Sequence, residues 1–136
     1  MMKIAWIGTG VMGKPMALHL ADAGYDVTCY NRTYAKALAL EPKAKATQSI
    51  HECVKDADVI FSIVGYPSDV KDTYMDVFKH AKKGAILVDM TTSSPTLAIE
   101  LDKEAKVQGF VLLDAPVTGG DVGAINATIS ILVGGD

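Results

Sequence analysis

Ile4-Ala5-Trp6-Ile7-Gly8-Thr9-Gly10-Val11-Met12-Gly13 is the stretch whose reading decides the fold. Four apolar residues in a row have the character of a strand covered on both faces. The next six fit the spacing G-x-G-x-x-G, and Met12, Met16 and Leu20 then recur every four residues, as on one face of a helix. This spacing alone is a weak signal; placed between a strand and a helix it becomes informative. Each glycine then has its own task. Gly8 makes the tight turn, Gly10 lets the backbone approach a pyrophosphate, and Gly13 lets helix and strand pack closely. The helix start offers unpaired N–H groups and a positive dipole end to an anion. Gly8, Thr9, Gly10, Val11, Met12 and Gly13 are therefore expected to cradle a dinucleotide. A methyltransferase using S-adenosylmethionine also employs a glycine-rich first turn, so the second strand must decide.

Outward from this unit the alternation continues. Apolar, β-branched runs at 27–30, 59–64, 85–88, 110–113 and 129–133 are separated by helical patterns at 11–23, 33–40, 49–55, 68–80 and 95–108. Gly24 is placed to cap the first helix, and Pro15 is tolerated in its opening turn. Ser94 and Pro95 read as N-cap and first residue of the last helix. Such a βαβα order predicts an α/β fold: a doubly wound, mostly parallel sheet of the Rossmann type, forming one domain over 1–136.

Composition bounds the function. The chain has 136 residues, 49% hydrophobic and 21% charged, in keeping with one soluble globular domain. Its formal net charge of -3, from 13 basic and 16 acidic residues, argues against a nucleic-acid partner, which needs a clustered basic face. Cys29 and Cys53 make neither a disulfide framework nor a metal-ligand spacing, so a cytoplasmic setting and no metal are expected. No run approaches the ~20 apolar residues of a membrane span, so no membrane partner is expected.

The second strand ends in Tyr30-Asn31-Arg32-Thr33. An acidic residue here would hold the ribose hydroxyls of NAD, or of S-adenosylmethionine, and none is present. Arg32 is the only arginine in the chain. Its guanidinium suits a 2′-phosphate, with Asn31 and Thr33 as further hydrogen-bonding groups. NADP is therefore expected in preference to NAD, with NAD remaining possible.

Several segments together resemble the β-hydroxyacid dehydrogenases, a family that includes 3-hydroxyisobutyrate dehydrogenase and tartronate semialdehyde reductase, with 6-phosphogluconate dehydrogenase more distant. They are Ile7-Gly8-Thr9-Gly10-Val11-Met12-Gly13, Asn31-Arg32-Thr33, Asp58-Val59-Ile60-Phe61-Ser62-Ile63-Val64-Gly65-Tyr66-Pro67, Asp89-Met90-Thr91-Thr92-Ser93-Ser94-Pro95 and Asp114-Ala115-Pro116-Val117-Thr118-Gly119-Gly120. They cover nearly the whole chain in the family's order. The resemblance implies that Val64, Gly65, Tyr66, Pro67 and Val70 lie along the cofactor, and that Thr92 approaches the nicotinamide. It implies that Thr118, Gly119 and Gly120 hold a small carboxylate substrate, a role that a hydroxyl and unobstructed backbone amides suit.

The resemblance also implies hydride transfer between nicotinamide and a small 3-hydroxy acid or the corresponding semialdehyde or 2-oxo acid. The family's general acid is a lysine beyond the nucleotide domain, so no catalytic residue is expected within 1–136. The last helix and strand of that domain and an all-helical second domain are likewise expected beyond this chain, with homo-oligomerisation in the intact protein. A non-catalytic NADP-binding sensor or interaction module is the alternative. Trp6, Phe61 and Phe110, with Met75 and Val77 of the fourth helix, read as core, Lys14, His19, His51 and His80 as surface, and Cys29 as buried and inert.

Overall fold

The computed structural model describes residues 3–9, 13–63, 67–89 and 95–114. Among them, six parallel strands form one sheet: β1 (Lys3–Ile7), β2 (Asp26–Tyr30), β3 (Lys45–Ala46), β4 (Val59–Ser62), β5 (Ile86–Asp89) and β6 (Val111–Asp114). Five helices connect them: α1 (Gly13–Asp22), α2 (Tyr34–Leu38), α3 (Ile50–Val54), α4 (Pro67–His80) and α5 (Pro95–Gln108). The strand order is β3-β2-β1-β4-β5-β6. The chain winds outward from β1 to β3 on one side and from β4 to β6 on the other. The direction of winding therefore reverses between β1 and β4, the place where ligands bind in open sheets of this kind.

Both sheet faces are covered, which is why the strands read as unbroken apolar runs. Ile4, Trp6, Val27, Cys29, Val59 and Phe61 pack with Met16, Ala17 and Leu20 of α1 and Ala37 of α2. Ala5, Ile7, Ile60 and Leu87 point the other way, toward Val54 of α3, Tyr74 and Val77 of α4 and Leu101 of α5. Trp6 is fully buried and stacks on Phe61, its neighbour across the β1–β4 ladder, with ring centroids 5.3 Å apart.

The helix boundaries follow local chemistry. Gly24 has φ of 100°, and its N–H bonds the carbonyl of Ala21 while that of Tyr25 reaches back to Leu20, closing α1 in a Schellman motif. Ser49 is the N-cap of α3: its hydroxyl accepts from the N–H of Glu52 at 3.1 Å. Pro67 and Pro95 open α4 and α5, where a missing N–H costs nothing.

Sheet, helices and parallel order agree with the sequence reading, and two details do not. β3 is absent from that reading because Lys45-Ala46 has no apolar run to announce it. It forms through pairing with Thr28 and Cys29, reinforced where the N–H and hydroxyl of Thr47 both donate to the Cys29 carbonyl. Met75, expected in the core, is 36% exposed, whereas Val77 on the same helix is fully buried. The strand expected at 129–133 and the cap Ser94 lie outside the described residues, as does any continuation by a last helix and strand.

Candidate functional site

The site is built from the turn that follows β1. Gly8 has φ of 101°, and a Cβ on it would sit 1.9 Å from the carbonyl oxygen of Ile63, just past β4. Only glycine fits, on both conformational and steric grounds. Its N–H donates to the carbonyl of Tyr30 at 2.8 Å, which ties the turn to the end of β2. Its carbonyl accepts from the buried indole Nε1–H of Trp6 at 2.8 Å. The N–H of Thr9 donates to Oδ1 of Asn31 at 3.0 Å. Gly13 then opens α1, so the turn leads into a helix N-terminus as expected.

Thr9 is 3% exposed, and its hydroxyl is a buried polar atom with no hydrogen-bond partner among the described residues. Buried polar groups are nearly always satisfied, so an orphan in a glycine turn points to a missing ligand. Together with a backbone that no side chain obstructs at Gly8, it fits a dinucleotide's pyrophosphate. Gly10, Val11 and Met12 lie outside the described residues.

The β2 tip is joined to this turn. Asn31 accepts from Thr9 with its carboxamide oxygen and donates with Nδ2 to the carbonyl of Thr33 at 3.1 Å. The side chain expected to face the cofactor thus also links the loop to the strand tip. Arg32 and Thr33 are exposed beside it. Thr33 stands at the N-cap of α2 with extended φ and ψ of -94° and 106°, yet its hydroxyl makes no capping bond.

The remaining candidates leave from the same edge. Ile7, Ser62, Asp89 and Asp114 are in register at the carboxyl ends of β1, β4, β5 and β6. These strand ends lie on the same edge of the sheet as the glycine turn. Ser62 and Tyr74 are buried there and share a hydrogen bond of 2.5 Å. Pro67 and Val70 fall in the opening turn of α4. Val64, Gly65, Tyr66, Thr92, Thr118, Gly119 and Gly120 lie outside the described residues.

Other groups are elsewhere. A cavity of about 230 Å³ is lined by Lys3, Asp26 and Lys45, which begin β1, β2 and β3, so it opens at the amino ends, away from the glycine turn. Lys14 is exposed. The His51 and His80 rings stack at 4.4 Å, and His80 pairs with Asp76 at 3.3 Å on the surface of α4. Cys29 and Cys53 are free and buried; burial pushes their thiols up to about 11 and about 12. Among the described residues no group of three ligands is placed to hold a metal. No described helix is long and apolar enough to cross a membrane.

Sequence reasoning missed two contributors, the Trp6 indole N–H and the Ile63 carbonyl. The first had a signal, a tryptophan two residues before the first glycine; a backbone carbonyl has none.

Comparison with known proteins gives the same picture. The probable 3-hydroxyisobutyrate dehydrogenase-like 1, mitochondrial, of Arabidopsis thaliana is 49% identical over 98% of this chain, which covers 42% of that protein. The chain spans about half the length of the curated relatives it matches. The structure of Mycobacterium tuberculosis 3-hydroxyisobutyrate dehydrogenase with L-serine superposes with a TM-score of 0.84 at 29% identity, covering 97% of this chain and 51% of that one. An imine reductase from Myxococcus stipitatus in complex with NADP+ matches with a TM-score of 0.79 at 28% identity, over 88% of this chain and 42% of its own. A variant of that reductase is in complex with NAD+. Residues 3–136 match the family model described as the NAD binding domain of 6-phosphogluconate dehydrogenase, and to that family of nicotinamide-dinucleotide-binding domains this chain belongs.

Proposed function

We propose that this domain binds NADP in preference to NAD and that the intact protein is a dehydrogenase or reductase of small 3-hydroxy acids. The observation that carries the cofactor preference is the bond between Asn31 and Thr9, which fixes the β2 tip to the glycine turn. Exposed Arg32 and Thr33 are thereby held beside the turn that takes the pyrophosphate. A 2′-phosphate on the adenosine ribose meets a guanidinium and the Thr33 hydroxyl, with no carboxylate at 30–33 to repel it.

When bound, the nicotinamide supplies or accepts a hydride at C4. The chain's own residues position the partners. Gly8 makes the turn, and the Thr9 hydroxyl with Gly10, Val11, Met12 and Gly13 after it holds the pyrophosphate. Val64, Gly65, Tyr66, Pro67 and Val70 line the path toward the nicotinamide, and Thr92 borders its ring. Thr118, Gly119 and Gly120 hold the substrate carboxylate, so that its carbonyl carbon stands in the same crevice. Proton transfer at the substrate oxygen falls to a lysine of the intact protein beyond residue 136, in a following all-helical domain. The similarity to 3-hydroxyisobutyrate dehydrogenases supports this substrate class. A homo-oligomer and a cytoplasmic location complete the proposal; two free, buried thiols suit a reducing compartment.

The test is calorimetric titration of the purified protein with NADPH and with NADH, repeated on Arg32→Ala. The expected result is tighter NADPH binding that the substitution weakens about tenfold or more, while NADH is spared. Equal affinity for both cofactors in the unsubstituted protein would overturn the NADP preference.

A further inference from the structure

The peptide group between Gly8 and Thr9 is held at both of its polar ends. Its carbonyl oxygen accepts from the Trp6 indole N–H at 2.8 Å. Its N–H donates to Oδ1 of Asn31 at 3.0 Å. The two side chains come from different strands: Trp6 lies in β1, and Asn31 immediately follows β2. Neither polar end of this peptide is left to touch a phosphate.

The need for such a grip follows from the glycine itself. Gly8 is required because a Cβ would meet Ile63. Without a side chain, however, its ψ angle is soft, and rotation of the next peptide re-aims every amide downstream to Gly13. A flipped peptide would set its carbonyl oxygen against the Asn31 carboxamide oxygen and its N–H against the Trp6 indole N–H, like against like. Two hydrogen bonds oppose this rotation. One is from a buried indole, whose N–H would be left unsatisfied if the bond broke. Trp6 is otherwise fixed: it is fully buried and stacked on Phe61.

We propose that Trp6 and Asn31 are paired positioning residues that lock the Gly8–Thr9 peptide and thereby set affinity for the pyrophosphate of either dinucleotide. Trp6 does so without touching the cofactor. The proposal rests on dinucleotide binding at this turn but not on the preference for NADP. It separates two tasks at the β2 tip: Arg32 distinguishes the cofactors, whereas the Asn31 carboxamide oxygen holds the loop that both cofactors use.

The test compares Trp6→Phe, Asn31→Ala and the double variant, all titrated with NADPH, NADH and adenosine 2′-monophosphate at a temperature where circular dichroism shows each folded. Trp6→Phe keeps an aromatic ring against Phe61 and removes the donor, along with part of the buried ring volume. It is expected to weaken NADPH and NADH equally, by about five- to tenfold, the scale of one buried hydrogen bond. Adenosine 2′-monophosphate, which has no pyrophosphate, is expected to bind within about twofold of its original affinity. In the double variant the loss should be close to that of the weaker-binding single variant. Two grips on one peptide are not independent, whereas two unrelated structural defects would multiply. Dinucleotide affinity unchanged in Trp6→Phe, or a loss shared by adenosine 2′-monophosphate, or a multiplicative double variant, would each overturn the proposal. Should Trp6→Phe fail to fold, Asn31→Ala carries the test: it removes a half-buried side chain and leaves the core intact. Unchanged NADH binding in that variant would overturn the proposal equally. If the unsubstituted protein bound neither dinucleotide, the underlying reading would fall and the proposal with it.

Discussion

Replacing Gly8 by alanine tests the geometry of the turn, and Gly24 supplies its internal control. The two glycines have nearly the same backbone, with φ of 101° and 100°. They differ in what a methyl group would meet. At Gly24 nothing lies within 4 Å, whereas at Gly8 the Ile63 carbonyl oxygen is 1.9 Å away. Gly24→Ala therefore incurs only the conformational penalty of an L-residue at positive φ, about 1–2 kcal/mol. Gly8→Ala incurs that penalty and must also move the Ile63 carbonyl by more than 1 Å to reach the 3.0 Å that real contacts respect.

Such a shift sits at the centre of a set of bonds: Gly8 N–H to Tyr30, Ile63 N–H to Ile7, and Trp6 to the Gly8 carbonyl. Losing two or three of them at about 1 kcal/mol each brings the total to roughly 4 kcal/mol, a large share of a domain's stability. In urea denaturation followed by circular dichroism, that corresponds to a midpoint lower by about 2 M for a slope near 2 kcal/mol/M. Gly24→Ala should move the midpoint by roughly 0.5–1 M on the same scale. Ligand linkage gives a second readout. NADPH at a hundred times its Kd should stabilise the unsubstituted protein by about 2.7 kcal/mol and leave Gly8→Ala nearly unaffected. The reasoning is refuted if Gly8→Ala unfolds within about 0.5 kcal/mol of Gly24→Ala, since the wedge against Ile63 would then cost nothing.

Two further outcomes follow from titrating groups. Cys29 and Cys53, with thiols held near 11 and 12 mainly by desolvation, should resist a disulfide reagent at pH 8 in the folded protein. Both should react once urea unfolds the chain, and rapid labelling of the native state would show that one of them is exposed. Asp58 is held below the usual carboxylate range by the backbone N–H of Lys3, 2.9 Å away, and by the Lys82 ammonium. A lowered folded-state pKa means its contribution is complete above the unfolded pKa and lost as pH falls through the folded one. The stability gap between the unsubstituted protein and Asp58→Asn should therefore be level from pH 7 to 5 and close at lower pH. With the side chain 40% exposed, that gap is expected to be only about 0.5 kcal/mol. A gap that widened on acidification would contradict the assignment.

Much of this architecture was legible because the decisive signals are local. Ile4-Ala5-Trp6-Ile7 and the glycines after it identify a buried strand feeding a turn and helix. Gly24 and Pro95 mark helix ends by properties that act within a few residues. β3 was not legible, since Lys45-Ala46 carries no pattern and becomes a strand only through Thr28 and Cys29 of β2. Met75 shows the limit of assigning an apolar residue to the core on helical spacing: α4 turns it outward while burying Tyr74, Val77 and Phe78. At the site, sequence reasoning named Asn31 through its place at the β2 tip. Its bond to Thr9 spans 22 positions, and no pattern in either segment encodes that distance.

The arrangement explains how affinity and cofactor preference are separable. The turn at Gly8 is attached to the end of β2 through Tyr30 and Asn31, to β1 through Trp6, and to the end of β4 by the close approach of Ile63. Any change in the spacing of these three central strands must reach the Gly8–Thr9 peptide. The Gly8–Thr9 backbone is thus tied to all three strands. Arg32 is exposed and lies past the end of β2, outside the hydrogen-bond ladder. On the proposed reading, its replacement is expected to alter which ribose is read without altering where the loop stands. Substitutions at 32 and 33 are then expected to exchange one nicotinamide dinucleotide for the other. Substitutions at 6, 8 or 31 are expected instead to weaken the protein's hold on both.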